Sequence, residues 1–242
     1  MKYLILQNFR VVALAVLSCY FLGAPRAQGL SITQNFSASP GLAIPDGSAT
    51  GISPTFDPGF TITDISSVIV TLDVGGAPSG GWNGDLYVHL AHSGGVSVLL
   101  NRPNRTAGNL AGAIDGGLVF TFDDAASVNA HNYTSPGTLT SQVGPLTLQP
   151  DGRTTDPLLV FDTDIPSATS SLTGAFGGLS ALGTWTFLIV DNQGGIFGDM
   201  TFDSFNLGVT GDAPAVPEPG TLIPLTVLMA GITCMRKRRS RK

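Results

Sequence analysis

Apolar residues recur at every second position in several short stretches of this chain. Val68, Val70, Leu72 and Val74 share one face of an extended segment, with Ile69, Thr71 and Asp73 on the other. That alternation predicts a half-buried strand. Leu86, Val88 and Leu90 alternate in the same way with Tyr87, His89 and Ala91. Val96–Leu100, Leu118–Phe122 and Leu158–Phe161 predict further strands, and Phe205, Leu207 and Val209 a closing one. Residues 184–190 are apolar on both faces, as expected of a central strand. Between these runs stand Gly75-Gly76, Gly80-Gly81, Gly94-Gly95, Gly116-Gly117, Gly177-Gly178 and Gly194-Gly195, each a natural turn. About seven to nine short strands, glycine turns and no helical period predict an all-β fold, an antiparallel β-sandwich. Its expected core includes Val70, Leu72, Leu86, Val88, Trp185, Phe187 and Leu207.

The two ends follow other patterns. Lys2 and Arg10 precede an apolar run from Val11 to Gly23, and Ala27-Gln28-Gly29 offers a small-x-small cleavage site. Residues 1–29 therefore read as a secretory signal peptide. Val16-Leu17-Ser18-Cys19 is a poor lipoprotein processing site, because Tyr20, Phe21 and Leu22 continue the apolar run past the cysteine. At the other end, residues 211–220 form a proline-rich spacer containing Val216, Pro217, Glu218, Pro219 and Gly220. Residues 221–235 are a hydrophobic anchor, and residues 236–242 a basic tail with Arg236, Lys237, Arg238, Arg239, Arg241 and Lys242. The apolar run from Leu222 rises about 21 Å as a helix, short of the roughly 20 residues that usually span a bilayer core. The cations stay in the cytoplasm by the positive-inside rule, which places everything before Pro217 outside. A Pro-Glu-Pro signal, one short hydrophobic segment and a basic end resemble the PEP-CTERM sorting tail of Gram-negative bacteria. The resemblance implies export through the secretion machinery and transient anchoring in the inner membrane. Processing by an exosortase-type peptidase and a final place in the cell envelope or outside the cell would follow. An ordinary anchor helix would leave the Pro-Glu-Pro without a role.

Composition sharpens the picture of the exported body. From Gln28 to Pro214 there is no Lys and no Glu, and sixteen Asp face only Arg102, Arg105 and Arg153, a balance of −13. The whole-chain net charge of −5 hides this, because the other cations lie in the terminal segments. So acidic a surface repels nucleic acid and anionic lipid. Much of the Asp excess suits turns, where the short carboxylate binds nearby backbone N–H groups. Cys19 and Cys234 also lie in the terminal segments, which leaves the body without disulfides, thiolate nucleophiles or cysteine metal ligands.

Several blocks in order carry a second resemblance. Ile44-Pro45-Asp46-Gly47 precedes the first strand, and Trp82-Asn83-Gly84-Asp85-Leu86 opens another. Leu148-Gln149-Pro150-Asp151-Gly152 comes later, then Gly183-Thr184-Trp185-Thr186-Phe187, Val190-Asp191 and Gly198-Asp199-Met200. Together they resemble the P domain, or Homo B domain, of kexin-like and subtilisin-like proprotein convertases. The resemblance covers residues 42–210, with residues 30–41 as a lead-in, and implies a jelly-roll-like β-sandwich. The family commonly has a His and a polar residue before its Gly-Asp-Leu, where this chain has Gly81-Trp82-Asn83.

Catalytic chemistry finds little support in the residues. There is no Gly-x-Ser-x-Gly elbow, and no subtilisin-like Asp, His and Ser blocks precede the sandwich. His89, His92 and His131 are the only imidazoles, and the strand period puts His89 and His92 on opposite faces. Paired Asp carboxylates could in principle hydrolyse glycosides, but only across a cleft that a sequence does not reveal. Calcium is the better inorganic candidate, since Asp123-Asp124, Asp162-Thr163-Asp164 and the loop from Asp191 to Asp199 offer hard oxygen donors. The Asp191–Asp199 turn ranks first, because two acids flank a glycine-rich loop. Each Asp is otherwise a turn cap. Trp82, Tyr87 and Tyr133 are candidate exposed aromatics for stacking on sugar rings, whereas Trp185 is expected in the core. Asn35-Phe36-Ser37, Asn104-Arg105-Thr106 and Asn132-Tyr133-Thr134 match the glycosylation acceptor pattern, which in a bacterial protein is expected to be chance. The expected function is a non-catalytic surface or extracellular-matrix module that contacts exopolysaccharide or a surface protein. The alternative is a P domain serving a subtilisin-like serine protease in trans.

Overall fold

Alternation along the chain becomes two packed sheets in the structure, a computed structural model that describes residues 30–76, 80–137, 142–195 and 199–214. The signal peptide, the sorting motif at 216–220, the hydrophobic anchor and the basic tail lie outside the described residues. Among the described residues, no helix is long and apolar enough to cross a membrane.

Ten strands build the sheets: β1 (Ser31–Ala38), β2 (Leu42–Ile44), β3 (Thr55–Phe56), β4 (Asp64–Gly75), β5 (Leu86–His92), β6 (Gly95–Asn101), β7 (Gly117–Phe122), β8 (Val143–Leu148), β9 (Trp185–Asp191) and β10 (Met200–Asp212). The larger sheet runs β1-β10-β4-β7-β8, with β2 also paired to β10, and the smaller runs β3-β9-β5-β6. Among the described residues, one short α-helical turn, α1 (Leu172–Phe176), packs against β4 and β6. All the strand pairs are antiparallel except β7 with β8, which run parallel. The long connection between those two strands allows this, since parallel neighbours need a crossover of a dozen or more residues.

Every core position expected from the sequence is buried: Val70, Leu72, Leu86, Val88, Phe187, Trp185 and Leu207 are at most 1% exposed. Facing residues of the two sheets interdigitate through aromatic rings. Phe56 of β3 lies 4.6 Å from Phe205 of β10, and Phe187 of β9 lies 5.0 Å from the same ring. Trp185 anchors a second cluster, stacked on His92 at 4.0 Å and close to Phe176 at 5.1 Å. Both His92 ring nitrogens sit beside backbone carbonyls, 2.8 Å from that of Thr184 and 2.7 Å from that of Ser180. His92 is thus a structural tie at the end of β5, while His89 lies on the other face beside the Tyr87 hydroxyl.

Two breaks in the period-two pattern have one cause. Ile65 and Val68 both face the core although they are three apart, and so do Phe202 and Phe205. The β4–β10 register shifts at both places, leaving Ser66 and Asp203 as extra residues of β-bulges. Each bulge resets which face points inward. Ser66 donates its hydroxyl to the Thr210 carbonyl at 3.1 Å.

Three expectations change. Residues 158–161 form turns, not a strand. Asp156 explains it: its carboxylate accepts from Leu158 N–H at 2.8 Å and its carbonyl from Leu159 and Val160 N–H at 2.8 and 2.9 Å. The Asp-Pro turn there overrides the apolar run. The sheet begins earlier than residue 42, because β1 falls in the segment read as a lead-in and pairs along its whole length with β10. Tyr133 is not an exposed aromatic. It is 2% exposed, its ring 4.9 Å from Phe120 and its hydroxyl donating to Asp115 Oδ2 at 2.9 Å. Trp82 and Tyr87 are half-buried.

Strand β6 is an edge, and the chain covers it. Ser170 accepts Val98 N–H on its hydroxyl at 3.0 Å, while Asp151 and Gly152 donate their N–H groups to the carbonyls of Leu99 and Val98. The covering segment thereby satisfies backbone groups that an open edge would present to other chains.

Candidate functional site

All three cations of the body point inward. Arg102, Arg105 and Arg153 are 0%, 8% and 3% exposed, an unusual place for guanidinium groups without strong pairing. Arg105 donates Nη1 to the carbonyls of Val160 and Pro157 at 3.0 and 3.2 Å and lies 4.8 Å from the centre of the Phe161 ring. Arg153 donates Nε to the Asp164 carbonyl at 2.9 Å. Together they clamp the loop 156–165 by its backbone. That loop turns Leu158, Leu159 and Ile165 outward, at 56%, 65% and 88% exposure.

Arg153 also belongs to a buried polar network. Asp151 accepts from Arg153 Nη1 at 3.0 Å, from Arg153 N–H at 3.3 Å and from Asn101 N–H at 3.1 Å, and lies 3.1 Å from His131 Nδ1. The other ring nitrogen of His131 is 3.1 Å from the Arg105 carbonyl. Each polar atom of the Asp151 carboxylate has a partner. The network joins β6, the 3-10 turn at 130–132 and the loop at 151–153, and its chemistry is that of a tie.

A different arrangement stands where β9 ends and β5 begins. The ladder pairs Leu86 with Asp191, and Asn192 N–H donates to the Asp85 carbonyl at 2.9 Å, so Asp85 and Asp191 are brought together from two sequence-distant segments. Both are buried, at 6% and 0% exposure. Arg102 serves Asp85, donating Nη2 to Oδ1 at 2.8 Å and Nε to the Gly84 carbonyl at 3.0 Å. Among the described residues, Asp191 accepts from Gln193 N–H at 3.4 Å on Oδ1, and its buried Oδ2 has no hydrogen-bond partner. Arg102 Nη1 is likewise buried and unpartnered.

Electrostatics follow from this imbalance. Burial pushes the Asp85 carboxyl up to about 6 despite the opposing pull of Arg102. Burial, and next the negative charge of Asp85, push Asp191 up to about 7. Asp46 adds to both effects from the loop after β2. Its N–H donates to Asp199 Oδ1 at 3.1 Å, and its Oδ2 accepts from Gly195 N–H at 2.9 Å. Asp85 and Asp191 thus form a coupled buried pair beside Arg102, with Asp46 near enough to add its charge and Asp199 hydrogen-bonded to Asp46.

The sequence pointed to Asp191 and Asp199 here but not to Asp46, Asp85 or Arg102. Asp46 and Asp85 stand in separate short blocks of the sequence, and only the folded chain brings them to Asp191. The other acidic candidates lie elsewhere and are engaged locally. Asp124 accepts from Leu172 and Thr173 N–H at 2.9 and 2.7 Å, capping α1, and Asp123 accepts from Ala125 N–H at 2.9 Å. Asp164 accepts from Phe161 N–H at 2.9 Å, and Asp162 is exposed on the arginine-clamped loop. Among the described residues, no three His, Cys, Asp or Glu side chains already form a metal-binding group.

The fold and this corner define an all-β sandwich body with a cation-free surface and a buried acid pair served by Arg102. No protein-family model matches the chain, and no curated protein matches it in sequence. A match among solved structures is to a chain from the complex of the Aeromonas sobria serine protease with its chaperone, at 17% identity and a TM-score of 0.39. It covers 82% of this chain and 29% of that one.

Proposed function

We propose that this chain is an exported, non-catalytic interaction module, sorted through its Pro-Glu-Pro tail and acting at the cell surface or in the extracellular matrix. The burial of every cation in the body supports this reading. Of sixteen Asp in the body, Asp85, Asp115, Asp151 and Asp191 are buried, which leaves twelve at least partly exposed while all three Arg are buried. A surface of one sign keeps the body soluble and apart from nucleic acid and anionic lipid. It favours partners that are cationic, neutral or bridged by divalent ions, and a surface protein or an exopolysaccharide fits that description.

Topology and processing test the proposal. A periplasm-active reporter fused after Asp212 is expected to be active and one fused after Lys242 silent. In a cell with an exosortase-type peptidase, the mature protein is expected at the surface or in the medium, its intact mass lacking Cys234 and all that follows. A cytoplasmic body, or a mature form that retains Met235 to Lys242, overturns the proposal. Co-purification with a subtilisin-like protease whose activity the module changes would assign it to proteolysis instead.

A further inference from the structure

The corner of Asp46, Asp85, Asp191 and Asp199 is short of positive charge, and one of its buried atoms has nothing to bind. Asp191 is wholly enclosed, and among the described residues no donor reaches its Oδ2. Leaving a charged acceptor in that state is strongly unfavourable. Gly81 packs directly against that oxygen, since a Cβ built there would come within 2.7 Å of Asp191 Oδ2. Arg102 offsets part of the charge on Asp191 but makes no hydrogen bond to Oδ2: its Nη2 is held by Asp85 Oδ1 and the Leu110 carbonyl, and its Nη1 has no hydrogen-bond partner among the described residues.

We propose that this corner binds one oxygen-seeking divalent cation of calcium's size, held by the carboxylates of Asp191 and Asp85, with Asp46 and Asp199 approaching from the facing loops. Calcium takes six to eight oxygens and accepts backbone carbonyls and water among them, so two or three carboxylates suffice as its charged ligands. The ion would supply the positive charge that the buried pair lacks and give Oδ2 its partner. It would also join three segments, the loop after β2, the start of β5 and the end of β9, which hydrogen bonds already bring together. The inference stands independently of where the protein is exported.

Thermal unfolding of the full chain tests it, at matched ionic strength with calcium, magnesium or chelator. Calcium at a hundredfold excess over its Kd is expected to raise the folding equilibrium constant about a hundredfold, and so the midpoint. Asp124→Asn is expected to keep the calcium shift, because that carboxylate caps α1 away from the corner. Asp191→Asn and Asp85→Asn are expected to lose it, and the exposed Asp199→Asn, which threatens the fold least, to weaken it. Equal midpoints in calcium and chelator, equal shifts from calcium and magnesium, or a calcium shift that survives in both Asp191→Asn and Asp85→Asn overturns it.

Discussion

Asp151 and Asp191 are equally enclosed by the sandwich, yet the first accepts from Asn101 and Arg153 and meets the His131 ring, while the second has an oxygen with no hydrogen-bond partner among the described residues. The difference lies in what surrounds them. Asp151 was given a guanidinium, a backbone N–H and an imidazole from three segments, so its burial secures the covering of β6. Asp191 was placed beside another carboxylate, with the one nearby guanidinium turned to Asp85. Burial alone therefore does not separate an architectural acid from a poised one. The count of donors does.

The sharpest way to break that comparison is to remove Asp151. Asp151→Ala strands Arg153 and His131 in the interior and is expected to cost about 3–5 kcal/mol in denaturant unfolding, the usual effect of breaking a buried pair from one side. A loss under 1 kcal/mol would show that the network carries no more weight than the corner. Trp185→Ala gives a yardstick of similar size, about 3–5 kcal/mol, for an apolar group that is 1% exposed.

The next effect depends on pH. Asp85 and Asp191 hold their protons more tightly in the folded state than the ordinary carboxyl, at about 6 and about 7 against 3.8. Their contribution to stability is therefore complete below about pH 4 and is lost as pH rises through 6 and 7. Without divalent ions, the unfolding free energy is expected to fall by a few kcal/mol between pH 5 and pH 8, since each tenfold displacement of a proton equilibrium is worth about 1.4 kcal/mol. Asp203, pushed up by burial and by Asp73, acts in the same direction. A profile that rises over this interval would show that the corner is better solvated than its burial implies.

Asp191→Asn refines the same point. The amide removes the surplus charge, and the variant is expected to gain about 1 kcal/mol over wild type at pH 8 in chelator while losing most of the slope. Asp124→Ala has the smallest expected effect, about 0.5–2 kcal/mol, because it removes a half-exposed cap from one helical turn.

Much of the sandwich was legible because β4, β5, β9 and β10 bury one face and write that face into the sequence. Strand β1 was not, since its inward positions are only half-buried and polar Gln34 sits among them. Nor was β8, where Gly144 and Pro145 interrupt the pattern that a strand usually shows. The bulges at Ser66 and Asp203 depend on the partner strand's register, which no single segment encodes. In the site, the loop from Asp191 to Asp199 could be read as an acidic glycine turn. That Asp85 and Asp46 join it could not, because only the pairing of β5 with β9 and the return of the loop after β2 bring them there. The Asp-rich turns at 123–124 and 162–164 showed the same local chemistry but close on their own backbone, and spacing cannot distinguish the two cases.

The inward arginines also decide how the protein meets digestive enzymes. Between residues 30 and 214 a lysine-specific protease finds no target, and a trypsin-like one finds only Arg102, Arg105 and Arg153, the first followed by Pro103. Cleavage requires the guanidinium to enter the protease's own pocket, whereas here each one is engaged inside the sandwich. The folded body is thus a substrate only when it opens. Its digestion by trypsin should report the opening equilibrium itself, which makes nicking at Arg105 and Arg153 a direct measure of how often the body opens.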